Sequence, residues 1–83
     1  MIQEPRKIGI VTQENIVWEE FSLEENLLII GRFCGIQETD LNTKIQSLYD
    51  ALTLGHLKDV LAKHLSVGSK RKLCIAMALI YEP

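Results

Sequence analysis

The first helical pattern of hydrophobic and polar positions lies in the segment SLEENLLIIGRFCGI, which begins at Ser22. Glu25 follows three positions later, and this spacing is that of a capping box, in which each side chain bonds the other residue's backbone N–H. Gly35 is the expected C-terminal stop. The pattern predicts an amphipathic helix whose apolar face recurs at helical spacing: Leu23, Leu27, Ile30 and Cys34.

Two further helical patterns follow along the chain. In ETDLNTKIQSLYDALTLG, either Thr39 or Asp40 is expected to cap a second helix, and Gly55 is expected to close it. HLKDVLAKH predicts one or two short amphipathic turns, and a third long helix is expected from Ser66 onward. Residues 73–80 are apolar on almost every side, as in a segment enclosed on several sides. The second helix has an apolar face of its own: Leu41, Ile45, Leu48 and Leu52.

The segment before these helices predicts one short strand. KIGIVTQ, residues 7–13, alternates β-branched and smaller residues, and the loop ENIVWEEF follows it. The predicted fold is therefore mainly α, with one short strand followed by three to four helices. A single strand cannot form a sheet, and three modest helices are barely enough to enclose the last one. The sequence thus has the character of an excerpt, because both its first strand and its last helix need partners that these residues do not supply.

Composition and charge exclude several functional classes. The 83 residues are 47% hydrophobic and 24% charged, with a net charge of −2. These values are typical of a globular protein and give no bulk argument for nucleic-acid binding. The charge is unevenly distributed along the chain. Residues 14–25 contain five acidic and no basic side chains, whereas the charged residues within 58–72 are mostly basic. The longest apolar run, residues 73–81, is about half of what a membrane span needs.

The cysteines, histidines and clustered carboxylates give no pattern of catalysis or metal binding. Cys34 and Cys74 lie far apart in apolar sequence, so both are expected to be buried and reduced. His56 and His64 are scattered and supply no zinc pattern. Adjacent carboxylates within residues 19–25 point in different directions and predict no acid–base pair.

Positive charge is crowded at the start of the last predicted helix. In LSVGSKRK, residues 65–72, three consecutive cations stand where the helix dipole is already positive. Gly68 would let a ligand approach the free backbone N–H groups, and hydroxyl groups and cations would add donors. The pattern indicates an anion site. The alternative is that Ser66 only caps the helix and the cations form a solvated face.

Two stretches resemble the motifs of one family, in the right order and at the right distance. LSVGSKRKLCIAMALIYEP, residues 65–83, resembles the LSGGQ signature motif and following helix of ABC-transporter ATPase domains. IGIVTQENIVWEEFSLEENL, residues 8–27, resembles their Q-loop segment and is most similar to the A-type subfamily, which is associated with lipid export. The resemblance implies the helical subdomain of a P-loop ATPase whose intact domain is α/β. It also implies three parts: a strand and Q-loop at 6–21, a helical subdomain at 22–64, and the signature motif with its helix at 65–83.

The resemblance implies a role for each matching residue. Gln13 would be the Q-loop glutamine, which reaches Mg²⁺ or the attacking water. The head of the last helix would close on the γ-phosphate of ATP through Ser66, Val67, Gly68, Ser69 and Lys70. The loop that follows the Q-loop would dock on a transmembrane domain through Trp18, Glu19, Glu20 and Phe21. Trp18 is therefore expected to be at least partly exposed, the alternative being a place in the core.

The implied partners are a second ABC ATPase domain and the transmembrane domain of a transporter. ATP and Mg²⁺ would be held by the second domain, and ATP hydrolysis would be coupled to transport. The resemblance to the A-type subfamily implies a lipid cargo. The segment itself would be soluble at the cytoplasmic face of a membrane. The rival hypothesis is a small helical interaction module that binds an ABC or membrane partner without nucleotide chemistry.

The sequence departs from the family pattern at two positions and lacks other motifs. Val67 stands where the first signature Gly is usual, and Ser69 stands where Gln is usual. The chain contains no GxxxxGK[ST] phosphate loop and no acidic Walker B strand. The sequence therefore predicts no ATPase activity for the 83 residues alone.

ATP should bind weakly to these 83 residues when no other domain is supplied. Helix-dipole and surface-charge contributions of about 0.3–1 kcal/mol each can sum to a few kcal/mol, which corresponds to millimolar binding at best. Isothermal titration calorimetry with ATP measures this affinity directly. Micromolar binding would contradict the prediction and would require a phosphate site of a different kind.

Overall fold

The computed structural model describes residues 17–81, which fold into three α-helices. Helix α1 spans Leu23–Phe33, α2 spans Glu38–Leu52 and α3 spans Val67–Tyr81. Two short 3₁₀ turns, Gly55–Leu57 and Ala62–His64, connect α2 to α3. Among residues 17–81 there is no strand, only an isolated antiparallel bridge between Ser22 and Leu61. The mainly α class is confirmed, whereas the predicted strand at 7–13 lies outside the described residues.

Helix α1 begins with the predicted capping box. The Ser22 hydroxyl accepts a hydrogen bond from the Glu25 N–H at 3.1 Å, and the Glu25 carboxylate accepts one from the Ser22 N–H at 2.8 Å. This exchange satisfies two of the four N–H donors that the start of a helix leaves unpaired. The predicted face is buried at Leu23, Leu27 and Ile30.

The prediction that Cys34 belongs to this buried face is wrong. The helix ends at Phe33, and Cys34 is the exposed C-cap residue. Gly35 then takes a positive φ of 80°, which lets the chain turn away immediately after the cap. Cys34 therefore falls just beyond the last helical position, where helical spacing no longer determines which way a side chain points.

Helix α2 starts and ends at residues other than those predicted. Its N-cap is Gln37, which makes no side-chain capping bond, so Thr39 and Asp40 lie inside the helix. A residue of another helix stabilises its start, because Arg32 of α1 donates a hydrogen bond to the Glu38 carboxylate at 2.8 Å. This contact lowers the pKa of Glu38 by hydrogen bonding. A carboxylate in the first turn is also favoured by the helix dipole.

Helix α2 ends at Leu52 with Thr53 as its C-cap, rather than at the predicted Gly55. Thr53 adopts the left-handed conformation with φ of 57°, which costs a residue with a side chain about 1 kcal/mol. The turn directs the next residue, Leu54, into the core, where it is fully buried. Its N–H donates to the Tyr49 carbonyl at 3.1 Å. Burial of Leu54 offsets the strain, since a buried Leu contributes about 1.5–3 kcal/mol.

Helices α1 and α2 approach each other closely at Gly31. A Cβ atom at this position would overlap the buried side chain of Leu41. The same two helices are joined by Tyr49, whose hydroxyl donates to the Glu24 carboxylate at 2.9 Å. Burial of the phenol and this hydrogen bond both raise the pKa of Tyr49. The predicted face of α2 is buried at Leu41, Ile45 and Leu48, and Leu52 is half-buried.

Helix α3 completes the core. The described residues cover one of its faces and leave apolar side chains exposed on another. Its buried residues are Leu73, Cys74, Ala76, Met77 and Ile80. Ile75 and Leu79, four positions apart, are 45% and 53% exposed. Residues 17–81 thus leave uncovered part of the apolar surface that the sequence predicts to be enclosed.

The two thiols should differ sharply in their reaction with a polar thiol reagent. Cys34 is exposed and should be labelled in the native state, whereas buried Cys74 should react only on unfolding. Partial shielding of the exposed Cys34 thiol from water by its neighbours raises its pKa, and burial raises the pKa of Cys74. Cys34 should therefore react more slowly than free cysteine at neutral pH and faster as pH rises. Mass spectrometry of timed labelling measures both rates, and Cys34→Ser is the control. Equal rates for the two thiols would contradict the described placement.

Candidate functional site

The head of α3 is capped by Ser66. Its hydroxyl oxygen accepts a hydrogen bond from the Ser69 N–H at 3.1 Å, and its carbonyl accepts one from the Lys70 N–H at 2.8 Å. Ser66 therefore caps the helix, as the alternative to an anion site states, but this does not exclude a second role. Capping uses the oxygen as an acceptor and leaves the hydroxyl hydrogen available for an anion. Ser66 can thus cap the helix and donate to a ligand at the same time.

The space in front of this first helical turn is open. Val67 is 80% exposed, and a Cβ atom built on Gly68 would have no heavy atom within 4 Å. Gly68 is helical and has no positive φ, so the packing and backbone of residues 17–81 do not require a glycine there. An alanine at this position would favour the helix by up to about 1 kcal/mol. The glycine therefore keeps the backbone accessible at a cost in helix stability.

A small cavity of about 120 Å³ lies beside this turn. It is lined by two apolar residues, Leu65 and Val67, and by two cationic residues, Lys70 and Arg71. Arg71 and Lys72 are exposed. Two cations therefore line this cavity, and the first turn beside it carries backbone N–H groups and the Ser66 hydroxyl. Donors of these kinds match the chemistry of a phosphate group.

Lys70 is already paired with an acidic residue from a distant part of the chain. Its ammonium lies 3.3 and 3.4 Å from the two carboxylate oxygens of Glu19. The alternative of a solvated cationic face therefore does not describe Lys70 fully, because its partly exposed ammonium is paired with a carboxylate. One of the crowded positive charges is balanced by a carboxylate that only the tertiary fold brings to it.

Glu19 belongs to a turn formed by residues 18–21, which we call the aromatic turn. The Phe21 N–H donates to the Trp18 carbonyl at 3.2 Å and closes the turn. Trp18 is 39% exposed and Phe21 is 43% exposed, which confirms the prediction that Trp18 is at least partly exposed. Glu20 pairs with Lys63 at 3.0 Å. The turn thus presents two aromatic rings, with both of its carboxylates held by lysines.

The side chain of Asn26 holds the aromatic turn onto α1. Asn26 is fully buried, and its Oδ1 accepts a hydrogen bond from the Trp18 N–H at 2.7 Å. Its Nδ2 lies 3.1 Å from the Trp18 carbonyl oxygen, 3.3 Å from that of Phe21 and 2.9 Å from that of Ser22. Two N–H groups therefore serve three acceptors, and one of these bonds is shared. A buried amide with every polar atom paired fixes the turn in one conformation.

Sequence reasoning missed Asn26, although the sequence carries a signal. Asn26 lies three positions after Leu23 and four before Ile30, so helical spacing puts a polar side chain on the buried face. A polar residue at such a position needs partners within the core. Those partners are backbone atoms of the aromatic turn, and no sequence pattern identifies them.

The segment before α3 holds the other side of the aromatic turn. The Ala62 N–H donates to the Phe21 carbonyl at 2.8 Å, and the Lys63 N–H donates to the Glu19 carbonyl at 3.2 Å. Just beyond the turn, the Leu23 N–H donates to the Val60 carbonyl at 2.9 Å. The aromatic turn and the head of α3 are therefore parts of one connected region.

Gln13, the predicted Q-loop and Mg²⁺ residue, lies outside the described residues. Within residues 17–81, no group of three or more His, Cys, Asp or Glu side chains is arranged to hold a metal ion. None of the helices in this part of the chain has the length and hydropathy needed to cross a membrane.

Comparison with known proteins gives a consistent result. A family model described as ABC transporter matches residues 1–83. The chain is 34% identical over 83 residues to ATP-binding cassette sub-family A member 6 of Mus musculus, covering 99% of this chain and 5% of that protein. It is 39% identical over 77 residues to Nod factor export ATP-binding protein I of Sinorhizobium fredii, covering 93% of this chain and 22% of that protein.

A third relative is the ABC-type organic anion transporter ABCA8A of Mus musculus, at 35% identity over 79 residues. The match covers 95% of this chain and 5% of that protein. The chain therefore spans between 5% and 22% of the length of these three relatives.

Replacing Asn26 by Asp should destabilise the fold strongly. One carboxylate oxygen would keep the Trp18 N–H, but the oxygen that replaces Nδ2 would face three carbonyl oxygens and have no donor. We therefore expect a loss of about 3 kcal/mol or more in the free energy of unfolding. Chemical denaturation followed by Trp18 fluorescence measures it. The matched control is Asn42→Asp on the exposed surface of α2, which should change stability by no more than about 0.5 kcal/mol. Similar losses in the two variants would contradict the role given to Asn26.

Proposed function

The chain belongs to the ABC transporter family, and on that premise we propose that it supplies the half-site that closes on the γ-phosphate of ATP held by a second ATP-binding domain. The match to the family model over all 83 residues supports this proposal. So do two relatives whose names describe them as ATP-binding. In this proposal residues 65–83 are the signature motif and its helix, residues 22–64 are the helical subdomain, and residues 6–21 contain the strand and Q-loop.

The observation that carries the proposal is the open approach to the first turn of α3. Gly68 has no neighbour that would exclude a Cβ atom, and the Ser66 hydroxyl keeps a hydrogen to donate. Val67 and Ser69 would contribute backbone or hydroxyl groups of the same turn. Lys70 lines the adjacent cavity and would add positive charge. These are donors suited to a phosphate, and none of them is a nucleophile or a base.

The proposed chemistry is electrostatic. A phosphoryl group in transfer carries its charge on peripheral oxygens, and fixed donors that face those oxygens lower the barrier without covalent participation. Bound ATP and Mg²⁺ would supply the reacting phosphate and its counter-charge. Residues 66–70 would orient and neutralise the terminal phosphate, and Gln13 would reach the Mg²⁺ or the attacking water.

The aromatic turn is proposed as the docking surface for a transmembrane domain. Exposed Trp18 and Phe21 support this proposal, because large aromatic side chains with an uncovered face are typical of interaction surfaces. Docking would place the segment at the cytoplasmic face of a membrane and couple ATP hydrolysis to transport. A lipid cargo is proposed from the A-type resemblance alone. Relatives named for Nod factor export and organic anion transport share the same segment.

The second candidate function, a helical interaction module, rests on the same exposed aromatic turn. It would use Trp18 and Phe21 for binding and make no use of the head of α3. The two candidates therefore differ in whether chemistry depends on Ser66 and Gly68.

Replacing Ser66 by Asp should separate helix capping from phosphate binding. Asp caps a helix as well as Ser does, so the free energy of unfolding should change by no more than about 0.5 kcal/mol. A carboxylate facing the phosphate should lower ATP turnover about tenfold or more in a domain pair completed with intact phosphate loops. Steady-state phosphate release measures turnover. Gly68→Ala should also lower it, although the alanine favours the helix.

The matched control is Ser66→Asn, which caps equally well and adds no charge. Its turnover should remain within about threefold of the unmodified pair, since the amide can both accept and donate a hydrogen bond. Unchanged turnover in Ser66→Asp would overturn the half-site and favour the interaction module.

A further inference from the structure

Lys70 stands between the head of α3 and the aromatic turn. It is the fourth residue of α3, and helical side chains lean toward the helix N-terminus, so its ammonium lies over the first turn. There it lines the cavity beside Val67 and contacts both oxygens of Glu19. The Lys70 side chain is 30% exposed and that of Glu19 is 48% exposed, so both groups remain accessible to a dissolved anion.

Glu19 is held in place by its backbone rather than by its carboxylate. The Glu19 carbonyl accepts a hydrogen bond from the Lys63 N–H, and both backbone groups of the preceding Trp18 are bonded to Asn26. The neighbouring carboxylate of Glu20 is held by Lys63. If the Glu19 carboxylate were released, the turn would keep its backbone anchors, and only the charge beside Trp18 would change.

We propose that Glu19 is an internal anion that competes with the terminal phosphate of the nucleotide for Lys70. This inference rests on the proposed function, because it takes the head of α3 as the phosphate site. A phosphate carries more negative charge than a carboxylate and can bind the backbone and hydroxyl donors of the same turn at the same time. Phosphate binding therefore displaces Glu19 from Lys70.

Displacement of Glu19 links the phosphate site at the head of α3 to the docking surface on the aromatic turn. With Lys70 engaged by phosphate, the freed Glu19 carboxylate lies unpaired next to Trp18 and changes the charge of the docking surface. Because coupling between two sites is reciprocal, a partner that binds the turn and draws Glu19 away from Lys70 strengthens phosphate binding by the same factor. The Glu19–Lys70 pair then reports nucleotide occupancy to the partner, and partner docking to the nucleotide.

The test uses the full 83-residue chain and sodium tripolyphosphate, which carries the phosphate chemistry of ATP without an absorbing base. Phosphorus-31 NMR measures binding, and the emission of Trp18, the only tryptophan of the chain, measures the response of the turn. Titrations are made at constant ionic strength. The variants are Glu19→Gln, Lys70→Gln and the control Glu20→Gln, which removes an identical charge from the neighbouring position paired with Lys63.

Competition predicts a different result for each variant. Glu19→Gln should lower the half-saturating concentration about two- to fivefold, the range expected for loss of one exposed ion pair, and should reduce the Trp18 response. Glu20→Gln should behave as the unmodified chain in both measurements. Lys70→Gln should weaken binding and abolish the Trp18 response. A merely structural role for Glu19 would alter Trp18 emission in the free chain without changing the affinity.

Equal half-saturation in Glu19→Gln and Glu20→Gln would overturn the competition, as would the absence of a phosphorus-31 response in both the unmodified chain and Glu19→Gln. The two proposals fail in different experiments. If Ser66→Asp abolishes turnover in the completed pair while Glu19→Gln and Glu20→Gln bind tripolyphosphate equally, the half-site stands and the competition is wrong. If Ser66→Asp keeps full turnover, the half-site itself is wrong.

Discussion

The buried amide of Asn26 is the interaction on which the arrangement of the candidate site depends. It pairs with both backbone groups of Trp18 and with the carbonyls of Phe21 and Ser22, so one side chain fixes a complete turn against α1. A buried amide without partners would cost several kcal/mol, and this cost excludes conformations in which the turn separates from the helix. The position of Glu19 relative to Lys70, and the exposure of Trp18, both follow from this constraint.

Acidic and basic residues that are separated along the sequence lie next to each other in the folded structure. Within residues 17–81, the acidic and basic segments of the sequence meet at two ion pairs, Glu19 with Lys70 and Glu20 with Lys63. Exposed pairs of this kind contribute little to stability, about 0–1 kcal/mol each. Their main effect is therefore on charge: Lys63, just before α3, and Lys70, in its first turns, neutralise the two carboxylates of the turn. Trp18 and Phe21 remain partly exposed.

Membership of the ABC transporter family gives this arrangement a functional context. The segment is shared by relatives whose names refer to different transported molecules, and it spans only a small part of each relative. This agrees with a proposed division of labour in which the segment contributes to the use of ATP and a separate membrane domain selects the cargo. The two proposed surfaces, one for phosphate and one for a partner domain, lie on either side of a single ion pair.

The sequence by itself determined the local features whose causes lie within a few residues. Short-range spacing gives the capping box of Ser22 and Glu25 and the apolar faces of α1 and α2. It also gives the group of hydrogen-bond donors at the head of α3, which suits a phosphate. Only the tertiary structure decided the exposed place of Cys34, the turn at Thr53, the partners of Asn26 and the pairing of Lys70 with Glu19. Each of these depends on atoms brought together from distant parts of the chain or on burial of a neighbour such as Leu54. The periodicity of one helix carries no information about such long-range contacts or about the burial of residues beyond its end.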